Sequence, residues 1–438
     1  MQPKLIYAFL RFGCLPSGLL LVWGGRVLPS VPGWLGVLLT VLELASLLGG
    51  IFLALVGAWV LQNVYFSRNH LPLNKYLPFE TWAVTADDMH NSNVDMIEYR
   101  QAFYLAHATS PFHFGTCDCE LVVKRSADGK HWQEVLRLGH GLADLRDPKL
   151  AVIGDKLLLY VLLNKATQPL PYTTRLAWTG DGERWSELSS IGHEGWLFWR
   201  PKTFDGQTWY APAYWHQFHH NALFVTRDGL NFEQVATIES GGYVNEPEIE
   251  FWSDGTLLAT GRGEYEKNTL KQLLGIPRSS TTISQAAPPY TAWQRTAETQ
   301  LTRLDGPVMF RHNGRIYAVG RAHPHFNRIF PRRGAALAKK RTALYEVHPT
   351  GLTLISYLPS CGDTSYAGVL MRQDCVYIAY YTNDIRKDYL WLFGMMEPTE
   401  IRMVKIALAD LERAADLAGA PHPLTETPYE IVSQGTLV

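Results

Sequence analysis

Glu246 and Arg262 stand at the two ends of YVNEPEIEFWSDGTLLATGRGE, the stretch from Tyr243 to Glu264. Its alternating apolar residues around a Ser-Asp-Gly turn predict a β-hairpin, which would bring this acid and this guanidinium to one rim of a sheet. Other charged or polar residues open similar stretches. They are Asn91 in HNSN, Asp144, Arg146 and Asp147 in DLRDPK, Arg200 before Pro201, Asp305 and Arg321 around GPVMFRHNGRIYAVG, Arg341 in RTALYEV, and Asp363 ahead of Tyr366 in GDTSYAGVL. Neighbouring carboxylates can pass protons, and a guanidinium fork grips a carboxylate or a hydroxyl-rich ligand with parallel hydrogen bonds. Asp147 reads as an acid or a transition-state stabiliser, or else as the ion-pair partner of Arg146. Arg200 reads as a ligand-binding group or as the counter-charge to Glu246. Asp305 and Asp363 read as groups that orient a site or cap a turn.

These residues share a position in a repeat. DPKLAVIGDKLLLYV, RPKTFDGQTWYAPAYW, the Glu246 hairpin, GPVMFRHNGRIYAVGR and YAGVLMRQDCVYIAYY each run polar or small residue, apolar strand, turn, second strand. Pro148, Pro201, Pro247 and Pro307 mark four copies, Ala367 stands in the last, and HNSNVDMIEYRQAFYLAH is a weaker first copy. Six copies at intervals of roughly 45–60 residues predict a six-bladed β-propeller with these hairpins innermost. Inner strands of a propeller start around one channel, so Asp147, Glu246 and Tyr366 are expected to face one another there. Proline suits the first residue of such a strand, which has no ladder partner for its N–H.

A second repeat runs in phase. SADGKHW, TGDGERW and TRDGLNF, from Ser126, Thr179 and Thr226, are turns in which Asp bonds its own loop backbone and the aromatic plugs between sheets. Their role is structural.

The chain has 438 residues, a net charge of −1 and 12% aromatic residues, with 14 Trp. That balance suits a β-rich fold and gives no electrostatic case for nucleic acid. Five Cys are too few for a disulfide scaffold. Cys117-x-Cys119 and the pair Cys361 and Cys375 lack zinc spacing, and His219-His220 has no ligand partner nearby, so neither metal nor cofactor is expected. Trp199, Trp215 and His216 read as inter-blade packing rather than as a sugar platform.

Pro32 to Gln62 is apolar and long enough to span a bilayer, with Glu43 its one charge. Leu5 to Gly25 is a second candidate span, weakened by Arg11 and Pro16. The domain plan is a membrane anchor at 1–65 (one or two transmembrane helices), a linker at 66–84, a propeller at 85–412 and a tail at 413–438. A single span places the propeller outside the cytoplasm by the positive-inside rule; two spans keep it inside. The insertions 322–341 and 383–400 read as rim loops or as membrane-surface segments.

The Asp turns and the NEPEIEFWSDGTLLATGRGE hairpin resemble the sialidase superfamily, in particular bacterial sialidase-like proteins with BNR (Asp-box) repeats. DLRDPKL and GDTSY extend the likeness over roughly residues 85–410. The resemblance implies an exo-acting glycoside hydrolase in which a Tyr polarised by a Glu attacks the anomeric carbon, an Asp serves as acid/base and three arginines hold a substrate carboxylate. Glu246 matches the polarising Glu, Arg262 the second arginine, Arg341 the third and Tyr366 the nucleophile. The chain departs from the family at His90-Asn91-Ser92, where an Arg-Ile-Pro motif is usual. It departs again in SPFHFGTCDCE, where His113 or Asp118 stands for the acid/base Asp. The implied ligand is a terminal, acidic, sialic-acid-like sugar on a glycan or glycoconjugate, with Arg200, Arg321, Asn91, Asp305 and Asp363 lining its site. The alternatives are a catalytically inactive glycan-binding propeller and a scaffold with no sugar ligand. Oligomeric state is not legible.

Overall fold

The computed structural model describes residues 3–24, 32–71, 73–141, 143–164, 172–264, 280–324 and 336–418. Two compact units emerge: Met1–Asn69 with Arg386–Tyr389, and His70–Ile385 with Leu390–Val438.

In the first unit, Lys4–Gly24 and Trp34–Phe66 are helical and each is long and apolar enough to cross a membrane. They form an antiparallel hairpin, since Leu15 lies against Gly57 and Gly18 against Gly50 and Ala54. A Cβ on Gly18 or Gly57 would come within 2.5 Å of the opposing backbone, so these glycines let the helices touch, as small residues do between membrane helices. The first candidate span is therefore helical despite Pro16. Arg11 donates to the Tyr65 hydroxyl at 2.8 Å and stacks on its ring.

The second unit is the expected six-bladed β-propeller, built from six antiparallel sheets. The inner strands are His90–Tyr99, Asp144–Ile153, Trp196–Phe198 with Lys202–Thr203, Val244–Phe251, Asp305–His312 and Thr364–Arg372. The second strands are buried on both faces and read as continuous apolar runs, such as Leu157–Leu162. Blades pack face to face: Tyr104, Leu121 and Val123 of the first meet Leu145, Leu157 and Leu159 of the second. Each fully buried Leu of this kind contributes roughly 1.5–3 kcal/mol.

The ring closes through a strand from the other end of the chain. Glu80–Thr85 pairs with Glu400–Ala407 and forms the outer strand of the sixth blade. Residues 80–84 thus belong to the propeller rather than to the linker expected at 66–84. The signal was short, ETWAVT, and its partner lies more than three hundred residues away. The terminal helix Leu408–Ala418 packs Leu411, Ala414 and Ala415 onto blades five and six.

The prolines mark a bulge rather than a strand start. Register shifts fall between Ser92 and Asp95, Arg146 and Lys149, Asn245 and Glu248, Asp305 and Val308, and Ser365 and Gly368. Each shift carries a residue of positive φ: Asn93 (53°), Asp147 (50°), Glu246 (45°), Gly306 (55°) and Tyr366 (48°), the last beside Ser365 (97°). In the third blade the inner strand breaks at the same place, leaving Trp199, Arg200 and Pro201 between its halves. A bulge re-aims a side chain and leaves a residue without a ladder bond, the position where Pro costs nothing. Left-handed backbone at a non-glycine residue costs of order 1–3 kcal/mol and persists where the fold over-determines it.

Candidate active site

The bulges gather Tyr366 and Glu246, which lie 120 residues apart in the chain. The Tyr366 hydroxyl donates to Glu246 Oε1 at 2.6 Å. Arg262, returning on the second strand of the Glu246 hairpin, places Nη1 3.2 Å from the Tyr366 oxygen and 2.7 Å from Glu246 Oε1. Its Nε donates to Asn245 Oδ1 at 2.6 Å, which fixes the fork. Glu246 Oε2 accepts the Gly306 N–H at 2.7 Å. Burial, opposed by Arg262 and assisted by Asp305, leaves the Glu246 pKa raised. Burial and the Glu246 charge push the Tyr366 phenol well above its ordinary value, against Arg262 and Arg321. Such a carboxylate can take the phenol proton, and Arg262 can hold the negative charge that moves between the two oxygens.

Arg321 completes the wall. Its guanidinium carbon lies 5.1 Å from the ring centre of Tyr366 and 5.1 Å from that of Trp391. Its Nε donates to Thr364 O at 2.8 Å, and Nη2 donates to Asp363 Oδ1 at 3.0 Å and to the Tyr381 hydroxyl at 2.6 Å. Arg341 is placed elsewhere. It pairs across the sheet with Ala322, one residue out of step with the Arg321–Thr342 pair. Strand alternation therefore turns it to the opposite face from Arg321. Its charge bears on Tyr357. The family resemblance implied Arg341 as the third arginine; strand parity puts Arg321, not Arg341, on the face beside Tyr366.

Asp147 sits at the bulge of blade two, nearly buried, and accepts a short hydrogen bond from Asn93 Nδ2. Its charge reaches Glu246 and Tyr381. Arg146 pairs with Asp144 instead, and Asp144 also accepts the Thr116 N–H at 3.0 Å. Arg146 further donates to the His113 carbonyl, so this pair holds the loop after Ala102–Ser110. That loop brings His113, rather than the exposed Asp118, to the cluster: His113 Nδ1 lies 2.6 Å from Asp363 Oδ2.

Four expected ligand-contacting residues are committed to the protein itself. Asn91 donates to Asp87 at 2.8 Å and to the Thr399 carbonyl at 3.0 Å, so the residue of blade one that joins the bulge ring is Asn93, two positions on. Arg200 donates to Asp95, Glu248, the Pro307 carbonyl and the Ala367 carbonyl at 2.7–3.0 Å, tying its blade to four others. Asp305 accepts both prongs of Arg303, at 2.6 and 2.7 Å, and His323 at 3.0 Å. Asp363 is fully buried and gathers His90, His113, Arg321, Tyr381 and Trp391. Burial alone would raise the Asp363 pKa, but His113, His90 and Arg321 hold it well below the usual range. Trp199 packs internally, under Lys149 Nζ at 4.0 Å and donating to the Pro307 carbonyl.

Tyr381, Trp391, Asn93 and Gly306 carry no sequence signal that marks them as site residues. Trp391 comes from the 383–400 insertion, whose short helix Trp391–Gly394 carries it to Asp363, with a 2.7 Å hydrogen bond. Most of the 322–341 insertion lies outside the described residues. The three Asp turns have the expected geometry, as in Asp228 accepting the Leu230 and Asn231 N–H groups at 2.8 and 2.9 Å. A fourth, Thr203–Trp209, has the same bonds at a different place, within the inner hairpin of blade three.

No family model matches the chain, and no curated protein does. Solved structures do. A protein of unknown function from Dyadobacter fermentans aligns at 13% identity and TM-score 0.53, over 76% of this chain and 100% of that one. Trypanosoma rangeli sialidase with the inhibitor DANA aligns at 13% identity and TM-score 0.53, over 80% of this chain and 62% of that one. The phage phi92 endosialidase aligns at 10% identity and TM-score 0.51, over 76% of this chain and 70% of that one. The chain thus spans less than two thirds of the trypanosomal sialidase. By its fold, the second unit is a six-bladed β-propeller, similar in architecture to those of a sialidase and an endosialidase.

Proposed function

We propose that the protein is a membrane-anchored, exo-acting glycoside hydrolase that cleaves a terminal acidic, sialic-acid-like sugar from a glycan. The observation that carries this reading is the Tyr366–Glu246–Arg262 triangle, with contacts of 2.6, 2.7 and 3.2 Å. Tyr366 attacks the anomeric carbon while Glu246 takes its proton, and the Arg262 guanidinium steadies the pair. The oxygen of the leaving group takes a proton from Asp147, the carboxyl at the bulge of blade two. Water then releases the sugar, with Asp147 now acting as base. A neutral phenol suits an anionic sugar, because a carboxylate nucleophile would meet like charge at the reacting carbon. Arg262 and Arg321 supply the forks for the sugar carboxylate.

A second reading, a glycan-binding propeller without turnover, draws on one observation. The guanidiniums of Arg262, Arg303 and Arg321 are already answered by Glu246, Glu264, Asp305 and Asp363. A screen of the detergent-solubilised protein against aryl glycosides, covering sialosides, uronides and neutral sugars, decides between the two. Release of the aryl group from an acidic glycoside supports hydrolysis. Binding to glycans with no release from any member sinks it.

The helical hairpin bears on placement. With both helices spanning, Lys4 lies on the same side as Arg68 and Lys75, and the sequence between the helices carries only Arg26. The positive-inside rule then favours a cytoplasmic propeller, the two-span alternative, over the external placement expected for a single span.

A further inference from the structure

His90 opens the inner strand of blade one, His113 sits in the loop after Ala102–Ser110, and Asp363 precedes the inner strand of blade six. One donor atom from each lies within 4.8 Å of the others. Asp363 Oδ2 is 3.0 Å from His90 Nε2 and 2.6 Å from His113 Nδ1. His90 Nδ1 lies 2.9 Å from the Glu397 carbonyl oxygen, which can only accept, so Nδ1 carries the ring hydrogen. The other ring nitrogen, Nε2, faces the Asp363 carboxylate oxygen from a fully buried side chain. His113 Nδ1, for all its closeness to Oδ2, makes no hydrogen bond of acceptable geometry. The other carboxylate oxygen is treated differently: Oδ1 accepts from Arg321, Tyr381 and Trp391 at 3.0, 3.2 and 2.7 Å.

One carboxylate oxygen saturated by fixed donors, its twin aimed at two imidazole nitrogens, and an imidazole whose far nitrogen donates to a carbonyl: this is how outer partners orient metal ligands. We propose that His90 Nε2, His113 Nδ1 and Asp363 Oδ2 bind one divalent transition-metal ion of the class that takes two imidazoles and a carboxylate, such as Zn(II), Mn(II) or Fe(II). Ligand atoms around a tetrahedral ion stand roughly 3.3 Å apart, so the His90–Asp363 separation nearly fits and His113 moves back by roughly 0.7 Å. His113 is able to do so, since its side chain is 22% exposed whereas those of the other two are fully buried. That exposure leaves the remaining coordination positions to water or a ligand oxygen on the His113 side. The ion would pin the His113 loop to blades one and six, next to the Arg321–Trp391 wall. The proposal stands independently of the glycosidase reading.

The test is Co(II) titration of the full-length protein in detergent after dialysis against chelator, with Cys117→Ser as background. The expected result is one equivalent bound, visible d–d absorption without thiolate charge-transfer bands, displacement by Zn(II), and a higher Tm with Zn(II) than with chelator. His113→Ala, at the partly exposed ligand, should lose the absorption while still unfolding cooperatively; His90→Gln gives a second check. Absence of Co(II) uptake with a Tm indifferent to Zn(II) overturns the proposal. So does uptake that survives both substitutions, or that brings thiolate bands.

Discussion

The ring of Tyr366 rests on the backbone of Gly306: a Cβ built at Gly306 would stand 2.4 Å from two of the ring carbons. The same residue donates its N–H to Glu246 and holds a φ of 55°, so a single glycine seats both Tyr366 and Glu246. Of Asn93, Asp147, Glu246, Gly306 and Tyr366, which hold a positive φ at the five bulges, the glycine alone has no side chain.

Gly306→Ala should therefore displace the phenol. The left-handed φ adds a cost of roughly 1–3 kcal/mol, readable as a lower denaturation midpoint. Misplacement of a reacting atom by about 1 Å can cost on the order of a hundredfold in turnover, and that loss is expected here. An alanine variant with wild-type kinetics would show that the ring position is immaterial.

Arg200 tests the distinction between a ligand group and a structural tie. Arg200→Ala leaves Asp95 and Glu248 buried without their partner, and loss of such a partner costs about 3–5 kcal/mol. Urea denaturation should show that loss, and Arg200→Lys should recover only part of it. A variant of normal stability with a raised KM would return Arg200 to the substrate.

Much of this arrangement was legible in the sequence, and the reasons it was legible are local. Glu246 and Arg262 belong to one hairpin, so a turn and a period of two suffice to join them. Tyr366 and Asp147 were found because each opens a copy of the repeat. What escaped needed information of another kind. Arg341 and Arg321 open and close neighbouring strands, and only the register Arg321–Thr342 decides which faces Tyr366. Asn91 was preferred to Asn93 because the bulge that re-aims Asn93 leaves no mark in composition. The cluster at Asp363 draws on His90, His113, Tyr381 and Trp391, whose separations in the chain follow no motif. Closure by Glu80–Thr85 was hidden for the same reason.

The two arginines make opposite predictions for substrate charge. Arg321→Ala should abolish any preference for an acidic over a neutral glycoside, and Arg321→Lys should restore only part of it, because an ammonium lacks the two-pronged contact. Arg341→Ala should leave that preference intact. Competition binding at low and high salt reads both, with the acidic ligand weakening as salt rises. Loss of preference in the Arg341 variant alone would reverse the placement argued from strand parity.

Placement across the membrane is testable at Gln207, an exposed turn residue of blade three. Gln207→Cys, in a background with Cys117 and Cys375 changed to Ser, should resist an impermeant maleimide in intact cells (spheroplasts, where there is an outer membrane) and react after lysis. Labelling before lysis would mean that only one helix spans, or that the hairpin is inverted.

The central claim is that Tyr366 and Glu246 act as one unit, and the direct measurement is kcat/KM against pH for the wild type, Tyr366→Phe and Glu246→Gln on the best aryl glycoside. Glu246 must be ionised to take the phenol proton, and its pKa is raised from 4.5 by burial. Wild-type activity should therefore fall as pH drops through a value above 4.5, and this acid limb should vanish in Glu246→Gln. Each substitution should lower turnover by at least about a hundredfold while the protein remains folded, as expected when a positioned catalytic group is removed. Undiminished turnover in both variants, with the acid limb still present in Glu246→Gln, would contradict the account.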